Sequence, residues 1–269
     1  MDFSQIDTLL LELNRARPLN PGELARLSEQ FTIEFTYESN AIEGNTMTLS
    51  ETALVLKEGV TIAGKPLREH LELIGHRDAF DYVRGLVGPD APPLSESVIK
   101  TIHSLVLMND RDNRGVYRSV QVVITGAAHT PPPPFGIAPQ MEELIADYHS
   151  GMATLHPIER AALFHIRFEG VYPFIDGNGR TGRLVMNLEL MRGGYPLINI
   201  KHADRRRYYQ CFTDYHQGGG DPAAMTGLIG EYVEAELESR LELIRARDSA
   251  TPDEPDAKNK KRDDREEIR

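Results

Sequence analysis

The chain has 269 residues, with 30 Lys and Arg against 41 Asp and Glu and a formal net charge of −11. That length buries a sizeable core. The negative balance excludes a general nucleic-acid surface, which needs net positive charge to displace counterions from phosphate, so no nucleic-acid partner is expected. One cysteine, Cys211, excludes an internal disulfide and fits a reducing, cytoplasmic compartment. No apolar run approaches the ~20 residues of a membrane span, and the acidic N-terminal stretch lacks the basic start of a secretory signal, so no membrane partner is expected.

In chain order, Leu9, Leu10 and Leu13 recur at helical spacing until Pro18 stops the helix. Pro21-Gly22-Glu23 opens a second helix running toward Ser39. Ser50-Glu51 and Ser95-Glu96 mark further starts, with helices over 66–86 and 95–108. Residues 120–125 are short and β-branched, and 129–134 read HTPPPP, which predicts one short strand or hairpin beside a proline-rich turn. Helices resume at 139–150, 156–171, 178–192 and 203–216. A long helix over 222–247 carries Leu228, Ile229, Tyr232, Val233, Leu237, Leu241 and Ile244 on one stripe, which suits either the core or a homodimer face. The class is mostly α with one small β-hairpin: a single domain over 1–247, then a tail over 248–269. That tail carries 8 acidic and 6 basic residues with almost no apolar ones, and is expected to be disordered.

The segment from Phe168 to Leu190 carries the chemistry. A helix end runs into Pro173-Phe174, then Asp176-Gly177-Asn178-Gly179-Arg180, and a new helix begins. First-turn N–H groups have no intrahelical partner and sit at the positive end of the helix dipole, so a glycine-rich turn there binds anions. Gly177 and Gly179 let backbone approach a phosphate closely. Arg180 and Arg183, at i and i+3, share a helix face and suit a polyphosphate, and Asp176 suits a hard cation beside it.

The run Tyr172-Pro173-Phe174-Ile175-Asp176-Gly177-Asn178-Gly179-Arg180-Thr181-Gly182-Arg183 resembles the signature of the Fic (filamentation) family, His-Pro-Phe-x-[Asp/Glu]-Gly-Asn-Gly-Arg-x-x-Arg, at every defined position but the first. Ser39-Asn40-Ala41-Ile42-Glu43-Gly44 resembles the family's N-terminal inhibitory motif, and Gly115-Val116-Tyr117-Arg118 with the strand after it resembles its target-docking flap. The resemblance implies a helical bundle with a β-hairpin flap at 115–135 and an inhibitory helix at 22–45. It also implies transfer of AMP from ATP to a hydroxyl of a target protein segment docked on the flap, self-modification being open for the same reason. Asp176 would hold Mg²⁺. Gly177, Asn178 and Gly179 would hold the α- and β-phosphates, Arg180 and Arg183 the β/γ end, and Phe174 would fix the loop in the core. Glu43 would pair with Arg183 and switch the site off.

Position 172 departs from the pattern. The family's general base is histidine there, and Tyr172 is a phenol of reference pKa ~10 against ~6.5 for imidazole. Losing a positioned base costs about 10²–10⁴ in rate, so activity is expected to be weak or absent. A non-catalytic nucleotide sensor or interaction module is the alternative. A DNA-linked role for Arg205-Arg206-Arg207 with Tyr208-Tyr209 is the weakest reading.

Overall fold

The computed structural model describes residues 2–16, 20–124 and 129–250. The charged segment 251–269 lies outside the described residues, and so do 125–128 of the flap. The chain builds α1 (Ser4–Arg15), α2 (Pro21–Ile42), α3 (Leu49–Glu58), α4 (Leu67–Arg84), α5 (Glu96–Val106), α6 (Pro134–His149), α7 (Pro157–Val171), α8 (Asn178–Arg192), α9 (Arg205–Gln217) and α10 (Ala223–Ala250).

Local chemistry sets these bounds. Asn20 caps α2 in a reciprocal box with Glu23, and Pro21 occupies the first helical position, where its missing N–H costs nothing. Thr48 and Glu51 form the same box for α3, so the true cap lies two residues before the expected Ser50. Helix α6 begins at Pro134, ahead of the expected 139, because two prolines compete for its first turn; Pro139 is carried inside the helix. Helix α10 runs to Ala250, three residues into the expected tail.

Helix α8 is the axis of the fold. Residues Arg180 to Leu190 are all buried, as befits a helix surrounded on every side. With its antiparallel neighbour α7 it divides two cores. Phe80, Ile99, Met141, Phe164, Phe168, Leu184 and Leu188 fill one. Ile42, Ile158, Ile166, Met186, Leu190, Leu228 and Val233 fill the other. The apolar stripe of α10 lies in this second core against α1 and α7, so it is core and not a free dimer face.

The expected β-hairpin does not form among the described residues, where no strand occurs. The reason is local. Pro131 to Pro134 have no N–H to donate to a ladder. Side chains reach their carbonyls instead: Arg118 Nη2 donates to Pro132 O at 2.7 Å and Gln121 Nε2 to Pro131 O at 3.1 Å.

Candidate functional site

The turn between α7 and α8 is fixed from three sides. Phe174 is fully buried and stacks on His103 at 3.6 Å between ring centroids. Asn178 closes the turn on itself: Phe174 N–H donates to Oδ1 and Nδ2 donates to Phe174 O, both at 2.9 Å. His103 accepts the Gly115 N–H on Nδ1 at 2.8 Å and donates from Nε2 to Asp176 O at 2.9 Å. That pattern requires the neutral ring, and burial pulls its pKa down to about 4. Gly177 takes the left-handed conformation, φ 77°, which a side chain rarely adopts. Tyr172 is the one non-glycine described residue with positive φ, at 48°. Arg118 holds it there, donating from Nε to Tyr172 O and from its backbone N–H to Pro173 O, each at 2.9 Å.

The two arginines differ sharply. Arg183 is buried and saturated: Nε donates to Ser39 Oγ at 3.0 Å, Nη2 to Ser39 O and to Glu43 Oε1 at 2.8 Å each, and Nη1 to the Tyr208 hydroxyl at 3.4 Å. Burial alone would lower its pKa, but Tyr208 and Glu43 hold it above the guanidinium's usual value. Arg180 makes only long bonds, 3.3 Å to Asp176 Oδ1 and 3.5 Å to Asn40 Oδ1, and its buried Nε has no partner. Glu43 reaches in from the exposed end of α2 and lies against the first turn of α8. A Cβ on Gly179 would collide with its carboxylate and stand 3.0 Å from Arg183 Nη1.

A cavity of about 260 Å³ opens here. Glu43, Glu169, Tyr172, Gly179 and Arg183 supply its polar wall, and Tyr209, Phe212 and the stacked His129–His216 pair (4.0 Å) its aromatic wall. Asp176, Asn178 and Arg180 are not among its walls. Asn178, expected on a phosphate, spends its side chain on Phe174, so only its backbone faces an anion. Tyr172 is displaced further from base strength: burial, then Glu169 and Glu43, push the phenol above its usual range. Its histidine neighbours are each engaged through Nε2. His165 donates to or accepts from the Tyr208 hydroxyl at 2.7 Å, and burial pulls its pKa down to about 3. His129 Nε2 bonds to Gly170 O at 2.6 Å. His103, Arg118, Asn40 and Glu169 were not singled out as site residues from sequence. Only Glu169 carried a signal, since an acid at i+4 from His165 and i−3 from Tyr172 falls on the face that meets α8.

The Fic/DOC family matches residues 93–190. The chain carries a Fic/DOC family domain. A Nematostella vectensis protein named protein adenylyltransferase Fic is 37% identical over 204 residues, 75% of this chain and 47% of that protein. Its Drosophila yakuba namesake is 38% identical over 201 residues, 73% of this chain and 40% of that protein. The chain therefore spans about half the length, or less, of the curated relatives it matches. Among solved structures, a Fic domain containing signaling protein from Bacteroides thetaiotaomicron superposes with TM-score 0.82 at 28% identity, covering 90% of this chain and 98% of that one. Fic-1 from C. elegans does so at 0.82 and 29%, covering 91% and 72%. The Arg205–Arg207 cluster is used within the fold: Arg205 Nε donates to Ile42 O at 2.8 Å, and Arg207 pairs with Glu231 at 2.6 Å. Among the described residues no helix is long and apolar enough to cross a membrane.

Proposed function

We propose that the chain is a Fic-type protein adenylyltransferase, moving AMP from ATP to a Ser, Thr or Tyr hydroxyl of a target protein, and that Glu43 holds it off. One observation carries the reading. The Glu43 carboxylate is itself an anion seated at a helix N-terminus on a buried arginine, 2.8 Å from Nη2, in the place built for a phosphate. A triphosphate must displace Glu43 to reach Arg183. Glu43 is partly exposed, its side chain at 32%, so displacement returns a carboxylate to water at little cost. The aromatic wall suits a purine, since flat rings stack on flat rings.

Asp176 fits a magnesium ion. It is exposed, its Oδ1 is taken by the Gly177 N–H at 2.6 Å and by Arg180, and its Oδ2 is claimed by no protein donor. One carboxylate is what magnesium takes from protein when phosphates and water complete its shell. Bound there, the ion would neutralise phosphate charge.

The target segment docks along residues 120–124 and 129–133, where Arg118 and Gln121 side chains hold the Val120, Pro131 and Pro132 carbonyls and, among the described residues, no strand ladder occupies the backbone. Mass spectrometry after incubation with Mg-ATP, on a lysate and on the chain itself, tests the reading for unmodified protein and for Glu43→Gly. AMP on a hydroxyl side chain is the expected product. The raised phenol of Tyr172 favours a second reading, a nucleotide sensor without turnover. Calorimetric binding of ATP with no AMP transfer in either variant would support it.

A further inference from the structure

Adenylyl transfer needs a group to take the proton from the attacking hydroxyl, and the residue in the family's base position is a phenol that burial has made weaker. Among the carboxylates on the cavity wall, one has an oxygen to spare. Glu169 lies in the last turn of α7, one turn before Tyr172, and borders the cavity together with Tyr172, Gly179 and Arg183. Its Oε1 is shielded from solvent and has no hydrogen-bond partner. A buried carboxyl oxygen left unpaired is destabilising, and a fold does not ordinarily leave one in place without use.

The neighbouring helix has been hollowed for it. Position 182 on α8 is glycine, and a Cβ there would stand 2.7 Å from Glu169 Oε1 and 2.7 Å from His165 Cε1 and Nδ1. Glu169 can occupy its place only because Gly182 carries no side chain.

We propose that Glu169, in place of the absent histidine, is the general base of this site. The inference rests on the adenylyl-transfer reading above. The Glu169 carboxylate takes the hydroxyl proton as that oxygen bonds the α-phosphorus. The bond from α-phosphorus to the β-bridging oxygen breaks, pyrophosphate leaves with its electron pair, and AMP remains on the target as a phosphodiester.

The surroundings suit the task. Burial, then the Glu43 carboxylate, push the Glu169 pKa up, Arg183 pulls it back, and the result is about 8. A base with its pKa near the working pH is the efficient kind. The groups facing it are Glu43 at the end of α2, Arg183 on α8, Tyr208 on α9, and His165 and Tyr172 on α7. His165 stays neutral at that pH, its pKa being about 3, and the phenols of Tyr172 and Tyr208 lie above their usual range. Arg205, Tyr209, His129 and His216 complete the charged or titratable wall of the same cavity. Burial and His129 pull the His216 pKa down, so it is neutral there too. The one other carboxylate on the wall, Glu43, is bound to Arg183.

The test uses the full chain carrying Glu43→Gly, with α-labelled Mg-ATP and label counted in protein. Adding Glu169→Gln is expected to lower kcat by about 100-fold or more while KM for ATP moves less than about twofold. The rise of rate with pH through the Glu169 titration should vanish in the Gln variant. Gln matches the protonated acid in shape, so thermal melting at pH 4 should be unchanged, which separates a chemical role from a structural one. A Gln variant with the parent's rate, or with the parent's pH profile, overturns the proposal. So does a Glu43→Gly protein that binds Mg-ATP and transfers nothing until Tyr172→His is added; that outcome leaves adenylyl transfer standing. If the Glu43→Gly/Tyr172→His protein also transfers nothing, adenylyl transfer itself fails.

Discussion

The two sides of the cavity are built to different standards. On the phosphate side paired side chains pin the turn, Arg180 Nε and Thr181 Oγ1 excepted: Asn178 with Phe174, His103 with Gly115 and Asp176, Arg183 with Ser39 and Glu43. On the proton-transfer side the atoms are strained or unpaired. Tyr172 sits at positive φ, Glu169 Oε1 and His165 Nδ1 lack partners, and both press against Gly182 where a Cβ would stand. A turn that must hold a triphosphate gains from rigidity, because each donor fixed beforehand saves the ordering cost at binding. A group that must change protonation gains from an environment that leaves its charge unsettled.

The comparison breaks most visibly at Arg183. Arg183→Ala should abolish ATP binding in calorimetry and cost about 3 kcal/mol in urea unfolding, since it strips Ser39, Tyr208 and Glu43 of a shared buried partner. A variant that binds ATP normally would remove Arg183 from the phosphate side.

On the proton side the sign of the pH effect is distinctive. An acid whose folded pKa is raised to about 8 binds its proton more tightly in the fold than in the unfolded chain. Stability from that proton is present at acidic pH and is lost as pH rises from the ordinary glutamate range through 8. Glu169→Gln removes the loss. Its unfolding free energy in urea should match the parent's at pH 4–5 and exceed it at pH 8.5 by an amount on the order of a few kcal/mol. Equal midpoints at pH 8.5 would show that the carboxyl is not held neutral.

Smaller effects sharpen the contrast. Asn178→Ala leaves the Phe174 N–H and C=O buried and unpaired, so it should cost about 1–3 kcal/mol by thermal melting and weaken ATP binding without altering the pH profile of transfer. Thr48→Ala, which touches neither side of the cavity, should cost only about 1 kcal/mol for its lost helix cap and leave nucleotide binding unchanged.

Most of the helices could be read from sequence because their starts are local: Pro21 at the head of α2, Ser95 before α5, Gly177 before α8. The phosphate turn was legible for the same reason, since its glycines and arginines are consecutive. Misreadings arose where long-range partners decide. The segment 120–124 has the β-branched residues of a strand, yet a strand needs a ladder, and the prolines opposite cannot supply one. His103 stands far from the turn it supports, and nothing in its own neighbourhood marks it. Tyr172 was legible as a loss; its replacement was not, because the role of Glu169 depends on the absence of a side chain on another helix, at Gly182.

The central claim is that an internal carboxylate occupies the nucleotide site of an otherwise competent adenylyltransferase. Label transferred to protein from α-labelled Mg-ATP, compared between the unmodified chain and Glu43→Gly at pH 8, tests it most directly. The account predicts transfer by Glu43→Gly well above that of the unmodified chain. Equal transfer by the two, or none by either, would contradict it.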